Sequence, residues 1–318
     1  MLLVIFSSRL HKRTLVSFSL FSHLVKFDAK RILERLRDKK ILFVGDSLNR
    51  NQFVSMVCML QTVIPIGQKS LLKVPNLSLV NFKEYNVSID FYWAPLLLES
   101  NADHPTKHKT NERIIRIDSI GKHAKHWVNA DVLVFNSYNW WRMPTINILN
   151  GSFEDTEQYK LVDNHYGYNV ALELWSTWLH SHVNHTRTKS YFMTMTAVHK
   201  RGEEWGRKVG TNCFNETEPI MNDGFWESGC DPEMMRILES SLNKLKGKGV
   251  NLQMVNISQL TQYRRDAHPS IYRTHYSPLT ETQLSNPISY ADCSHWCVPG
   301  VPDTWNELLL THILRGGL

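Results

Sequence analysis

The chain has 318 residues, 42% of them hydrophobic, and 36 Lys and Arg against 30 Asp and Glu give a formal charge of +6. That length and apolar content can bury a substantial core and fit one α/β domain with long loops, without repeats or low-complexity tracts. The basic residues are scattered and no zinc-finger, P-loop or dinucleotide-binding spacing accompanies them, so nucleic acid is not the expected partner, and a mildly basic surface suits an acidic glycan at least as well.

In chain order, residues 1–39 read as an N-terminal segment and 40–318 as the main domain. The apolar patches Leu2 to Phe6 and Leu15 to Phe21 are separated by Arg9, His11, Lys12 and Arg13. Neither reaches the roughly 18 to 20 apolar residues of a bilayer span, and no small-residue cleavage site follows. A basic helix is expected over 28–39 with Asp28 as its N-cap, then a strand over 41–45 and a helix over 48–60. Strands near 79–82 and 87–93 lead into a polar loop at 100–113. Strand 132–135, helix 166–183, strand 190–195, helix 232–246, strand 251–256 and a last helix over 303–314 complete the series. Strands alternating with helices predict a mainly parallel sheet between helical layers, with any active site at the carboxyl ends of the strands.

The passage Ile41-Leu42-Phe43-Val44-Gly45-Asp46-Ser47 marks such a site. Four β-prone residues read as a buried strand, Gly45 permits a tight turn, and Phe53, Met56, Val57 and Leu60 recur at helical spacing behind it. Ser47 therefore falls at a strand-to-helix corner, where the new helix aims unpaired N–H groups and a positive dipole end at any oxyanion formed beside it. The same letters also fit an Asp or Ser N-cap opening an ordinary helix. Far along the chain, Asp292 and His295 are three residues apart, a spacing that in a helix-like turn lets the carboxylate reach the imidazole and fix its tautomer. A serine hydroxyl needs such an oriented His as general base, and the order Ser, Asp, His completes a candidate triad. For the oxyanion, the Ser47 backbone N–H and Asn136 at the end of a central strand are candidate donors. Asn136 can equally satisfy its own turn. Arg50, one helical turn beyond Ser47, is a candidate for oxyanion or substrate binding, or for an ion pair with Asp46 or a glutamate.

Three blocks carry a family resemblance: Gly45-Asp46-Ser47-Leu48-x-Arg50-x-Gln52, Phe135-Asn136-Ser137-Tyr138-Asn139-Trp140-Trp141, and Asp292-Cys293-Ser294-His295-Trp296-Cys297-Val298-Pro299-Gly300. With Thr196-Ala197-Val198-His199 and Tyr263-Arg264-Arg265-Asp266-Ala267-His268-Pro269-Ser270, they resemble the plant trichome-birefringence-like family of polysaccharide O-acetyltransferases, nearest its xylan-acetylating branch. The resemblance implies an SGNH-hydrolase-like (PC-esterase) three-layer α/β/α fold, with Ser47 as nucleophile, His295 as base and Asp292 as its orienter. It also implies acetyl transfer to a xylan-like polysaccharide from an acetyl donor that serves as co-substrate, with no bound cofactor. No residue pattern singles out acetyl-CoA among acyl carriers. A Golgi-lumenal, membrane-anchored protein is expected of the family. Members carry an anchor and a cysteine-containing region ahead of the Gly-Asp-Ser block, whereas only some forty residues precede it here, so a truncated start is expected and no anchor is evident.

Of the five cysteines, Cys58 lies on the apolar face of the helix after Ser47 and is expected to be a buried free thiol. No Cys/His set has zinc spacing, so no metal site is expected. Cys293 and Cys297 flank His295, and a bridge from either would pin its loop. The resemblance implies Cys213–Cys293, with the partner of Cys297 supplied from the region ahead of the block. Six Asn-x-Ser/Thr sequons, at Asn76, Asn86, Asn150, Asn184, Asn215 and Asn256, fit a secretory lumen. Of the ten Trp, several near the motif blocks suit sugar stacking and the rest the core. Two rival functions remain: a polysaccharide acetyl esterase and a non-catalytic glycan-binding paralogue.

Overall fold

The computed structural model describes residues 27–107, 112–273 and 278–316, so the apolar patches of the first 26 residues lie outside the described part. A seven-stranded sheet forms the centre, built from β1 (Lys40–Gly45), β2 (Lys69–Val74), β3 (Leu77–Phe82), β4 (Val87–Trp93), β6 (Val132–Asn136), β9 (Lys189–Met193) and β10 (Leu252–Val255). Its order is β10-β9-β6-β1-β4-β3-β2. The five strands from β10 to β4 run parallel, and β3 and β2 add an antiparallel margin. β5 (Ile114–Arg116), β7 (Thr145–Leu149) and β8 (Lys160–Asp163) form a separate three-stranded sheet.

Register explains the two helical layers. In a parallel pair, residues opposite each other point to the same face and successive residues alternate. Phe43 sits opposite Phe91, and both rings meet Phe53 of the Ser47–Leu60 helix at 6.3 and 5.8 Å. Val44 sits opposite Phe135, whose ring faces the other way and meets Trp175 of the Asn164–His182 helix at 5.1 Å. The Val301–Arg315 helix packs with the first of these helices and the Pro232–Gly247 helix with the second, which completes a three-layer α/β/α sandwich. All five residues from Ile41 to Gly45 are buried, as expected for a strand covered on both faces.

The chain leaves β1 toward β4, then returns to place β6 on the other side of β1. The order of strands therefore reverses between β1 and β6, and the crevice at their carboxyl ends is where open α/β sheets accept ligands. Asp28 caps the Ala29–Arg35 helix as expected, although that helix stops short of Lys39. The strand β2 and the small sheet carry no clear sequence signal. Leu71 and Leu72 of β2 are exposed, which removes the in/out alternation, and β5 has only three residues.

Candidate active site

Ser47 is the first residue of its helix, and Asp46 is the N-cap, accepting the Leu48 N–H at 2.8 Å. The N–H of Ser47 thus lies where no intrahelical acceptor exists. Gly45 is required at this corner, because a Cβ there would come within 2.0 Å of the Asn136 carbonyl oxygen on β6. Asn49 fastens the corner from the helix side, donating to the Val134 and Val44 carbonyls at 3.2 and 3.4 Å. Asp46 is fully buried, and burial pushes its carboxyl up to about 6 against the pull of the Leu48 and Asn49 N–H groups.

His295 reaches this corner from a chain bend rather than from the helix-like turn its spacing with Asp292 allows. Asp292 Oδ1 accepts the backbone N–H groups of Ser294 and His295, each at 3.0 Å, while Oδ2 meets His295 Nδ1 at 2.8 Å. His295 Nε2 lies 2.7 Å from Ser47 Oγ. Two segments separated by 248 positions thus form one hydrogen-bonded series, carboxylate to imidazole to hydroxyl. Burial alone would raise the Asp292 carboxyl, but the hydrogen bond and charge of His295 and the two backbone N–H groups outweigh it and hold the group well below the usual carboxylate range. The Arg273 guanidinium adds an ion pair at 3.2 Å. An ionised Asp292 keeps a proton on Nδ1 and leaves Nε2 free to accept from Ser47.

Several ties hold the His295 loop. A disulfide joins Cys213 to Cys293. Asn51 donates to the Trp296 carbonyl at 3.1 Å. His268 Nδ1 donates to the His295 carbonyl at 2.7 Å, its Nε2 lies 2.8 Å from His199 Nδ1, and His199 Nε2 donates to the Gln262 carbonyl at 2.8 Å. Three such contacts need three ring protons, whereas two neutral imidazoles carry two. Burial pushes both rings toward the neutral form. Both Asn51 and His268 lie in motif blocks, yet nothing local in the sequence marks them as supports.

Other expectations need correction. Asn136 does reach the carboxyl edge, opposite Gly45, but its side-chain N–H groups donate to the Met193 and Thr194 carbonyls at 3.2 Å each. Its amide is therefore spent on the β6–β9 end and does not present a donor to an oxyanion. Arg50 makes no ion pair with Asp46; its guanidinium lies 5.6 Å from the Trp93 ring at the end of β4. Cys58 is free but half-buried rather than buried, Cys230 is free and buried, and Cys297 is free and exposed. Of the tryptophans in or near the motif blocks, Trp140, Trp141, Trp205, Trp296 and Trp305 are buried and only Trp226 is substantially exposed, at 38%. Among the described residues, no group of three His, Cys, Asp or Glu side chains is placed to hold a metal ion, and no helix is long and apolar enough to cross a membrane.

The sandwich with a Ser-His-Asp series at its switch point defines the class of SGNH-like α/β proteins. Residues 24–312 match the PC-Esterase family, the GDSL/SGNH-like acyl-esterase family found in Pmr5 and Cas1p, and the chain belongs to that family. It is 52% identical to Protein trichome birefringence-like 34 of Arabidopsis thaliana over 92% of this chain and 72% of that protein. It is also 44% identical to Xylan O-acetyltransferase 14 of Oryza sativa subsp. japonica, over 92% of this chain and 66% of that protein. Xylan O-acetyltransferase 12 from the same rice is 46% identical, and there the match spans 92% of this chain and 59% of that protein.

Proposed function

We propose that the chain moves an acetyl group to hydroxyls of a plant cell-wall polysaccharide, xylan, through an acetyl-serine. The observation that carries this reading is the 2.7 Å contact between His295 Nε2 and Ser47 Oγ, backed by Asp292, in a chain whose relatives include xylan O-acetyltransferases. His295 takes the Ser47 proton as Oγ bonds to the donor's acetyl carbon, and the donor's leaving group departs with that proton. A sugar hydroxyl then gives its proton to His295 as its oxygen bonds to the acetyl carbon, and the ester bond to Ser47 Oγ breaks as His295 returns that proton to Oγ, which leaves the sugar esterified and the site restored. The Ser47 N–H at the helix start is the oxyanion donor in this reading. Transfer outruns hydrolysis where the groove places the glycan and keeps water out. The Cys213–Cys293 disulfide and the sequons support a Golgi-lumenal site of action, with 40–318 as the acyltransferase domain.

Incubation of the chain with xylo-oligosaccharides and isotope-labelled acetyl donor should add one acetyl mass to the sugar, and Ser47→Ala should abolish the gain. Loss of acetyl from acetylated xylan with no forward transfer would instead assign an esterase. Oligosaccharide binding equal in parent and Ser47→Ala, with no turnover in either, would reduce the protein to a glycan binder.

A further inference from the structure

The carboxyl edge carries a second feature that acyl transfer at Ser47 leaves unused. A cleft of about 510 Å³ opens among Arg142, Lys200, Arg201, Glu204, Glu227 and Gly229. Arg142 follows β6, the neighbour of β1, and Lys200 follows β9, which pairs with β6 on its far side, so the cleft sits on the same edge as Ser47. Lys200 is near enough to Asp292 to feel its charge.

The charges in the cleft do not cancel pairwise. Glu204 pairs with Arg201 and accepts from the Ser228 hydroxyl. Glu227 is buried, and its two carboxylate oxygens accept the Val198 and His199 backbone N–H groups at 2.7 and 2.8 Å. The oxygens of both acids are thus taken up by donors other than Arg142 and Lys200, although the charge of Glu227 still reaches these two cations. Among the described residues, Arg142 and Lys200 make no hydrogen bond or ion pair. Burial, and then the charge of Arg142, lower the proton affinity of Lys200, as expected of two cations facing one space. Gly229 keeps that space open: a Cβ there would stand 2.2 Å from Arg142 Nη2. An arginine fork and an ammonium directed at one cleft form a receptor for an oxyanion, and the volume suits a ligand of a few rings.

We propose that this cleft is an anion subsite, taking a carboxylate or phosphate carried by one of the two substrates while that substrate's reacting group reaches Ser47. This rests on the acetyl-transfer reading. Two sources share the chemistry: a uronic-acid branch on the acceptor glycan and a phosphate on the acyl donor.

The test pairs each candidate with a neutral counterpart. Acceptors are a xylo-oligosaccharide with and without one glucuronic acid branch, and donors are acetyl-CoA and the phosphate-free acetyl-pantetheine. Arg142→Gln with Lys200→Gln should cut kcat/KM about tenfold for whichever partner bears the anion, leave its neutral counterpart within twofold, and weaken the wild-type preference as salt rises. Gly229→Ala, which displaces the guanidinium without removing charge, should reproduce part of that loss. Equal effects on charged and neutral partners would overturn the subsite. Calorimetric titration of the same charged ligands needs no turnover. Tenfold weaker binding in the double variant, with acetyl transfer absent throughout, would keep the subsite and reject the transfer reading. Transfer to neutral acceptors with no discrimination by the variant would do the reverse.

Discussion

Ser47 and His295 share one hydrogen bond, yet the chain holds them in opposite ways. Ser47 is fixed by local geometry: a buried parallel strand, a glycine pressed against β6, and a helix whose N-cap is the preceding residue. His295 belongs to a loop with no regular structure of its own, held by contacts that come from residues 51, 213, 268 and 292. A hydroxyl on a rigid corner needs only the fold, whereas an imidazole on a loop needs every tie. Damage to the loop should therefore appear in turnover before stability, and damage to the corner in both at once.

The largest expected effect is on turnover alone. In Asp292→Asn the remaining Oδ1 still accepts the Ser294 and His295 N–H groups, so the bend survives, but an amide N–H now faces Nδ1 and favours the wrong tautomer. A fall in kcat of about 10⁴-fold is expected, by analogy with the triad of serine proteases. Steady-state kinetics beside a thermal melt checks this, and unchanged kcat would remove Asp292 from the mechanism. Next comes Cys213→Ser, which opens a closure spanning 80 residues. A loss of about 2–5 kcal/mol is expected, and activity should disappear several degrees below the melt seen by Trp fluorescence. On the corner side, Gly45→Ala forces a methyl into the Asn136 carbonyl and should cost about 1–3 kcal/mol. Here activity and melting should fall together, and a melt unchanged with activity lost would contradict the comparison.

What the sequence makes legible follows the same division. The strand 41–45 and the corner after it are readable because burial on both faces produces an unbroken apolar run and because glycine and the N-cap sit at fixed offsets. The alternation of strands and helices likewise announces the parallel sheet. β2 escapes notice because an edge strand with exposed Leu71 and Leu72 has no buried face to impose a period. The meeting of Ser47 with His295 is legible only as chemistry, from residue types that belong together. The supports are not: His268 gains its role from partners 27 and 69 positions away, and no local pattern encodes that. For Asn136, sequence places the residue at the right strand end but not the direction of its amide, which turns to the β9 carbonyls.

The finest test concerns the buried histidine pair, where the effect is small at neutral pH and grows with acid. Both rings face Trp296, with Trp205 against His199, and the charged or titratable groups around them are Asp266, Arg265 and Glu204 on the His199 side and Asp292 and His295 on the His268 side. Folding lowers the proton affinity of both rings below the ordinary value near 6.5. The unfolded chain thus binds more protons than the folded one once the pH drops below that value. Stability is full above about pH 6.5 and is lost as pH falls toward the folded-state values, by up to about 1.4 kcal/mol per group for each unit of separation. His268→Asn keeps a donor at the Nδ1 position for the His295 carbonyl and removes one titrating ring. It should lower stability at pH 8 by about 1–2 kcal/mol through lost packing, reduce kcat less than about threefold, and flatten the decline between pH 6.5 and 4.5 in denaturant midpoints. His268→Ala, lacking that donor, should lose far more kcat at the same pH. If Asn and Ala behave alike in kcat while the acid slope stays as steep as in the parent, the His268 bond does not position His295 and the loop's hold must lie in its other ties.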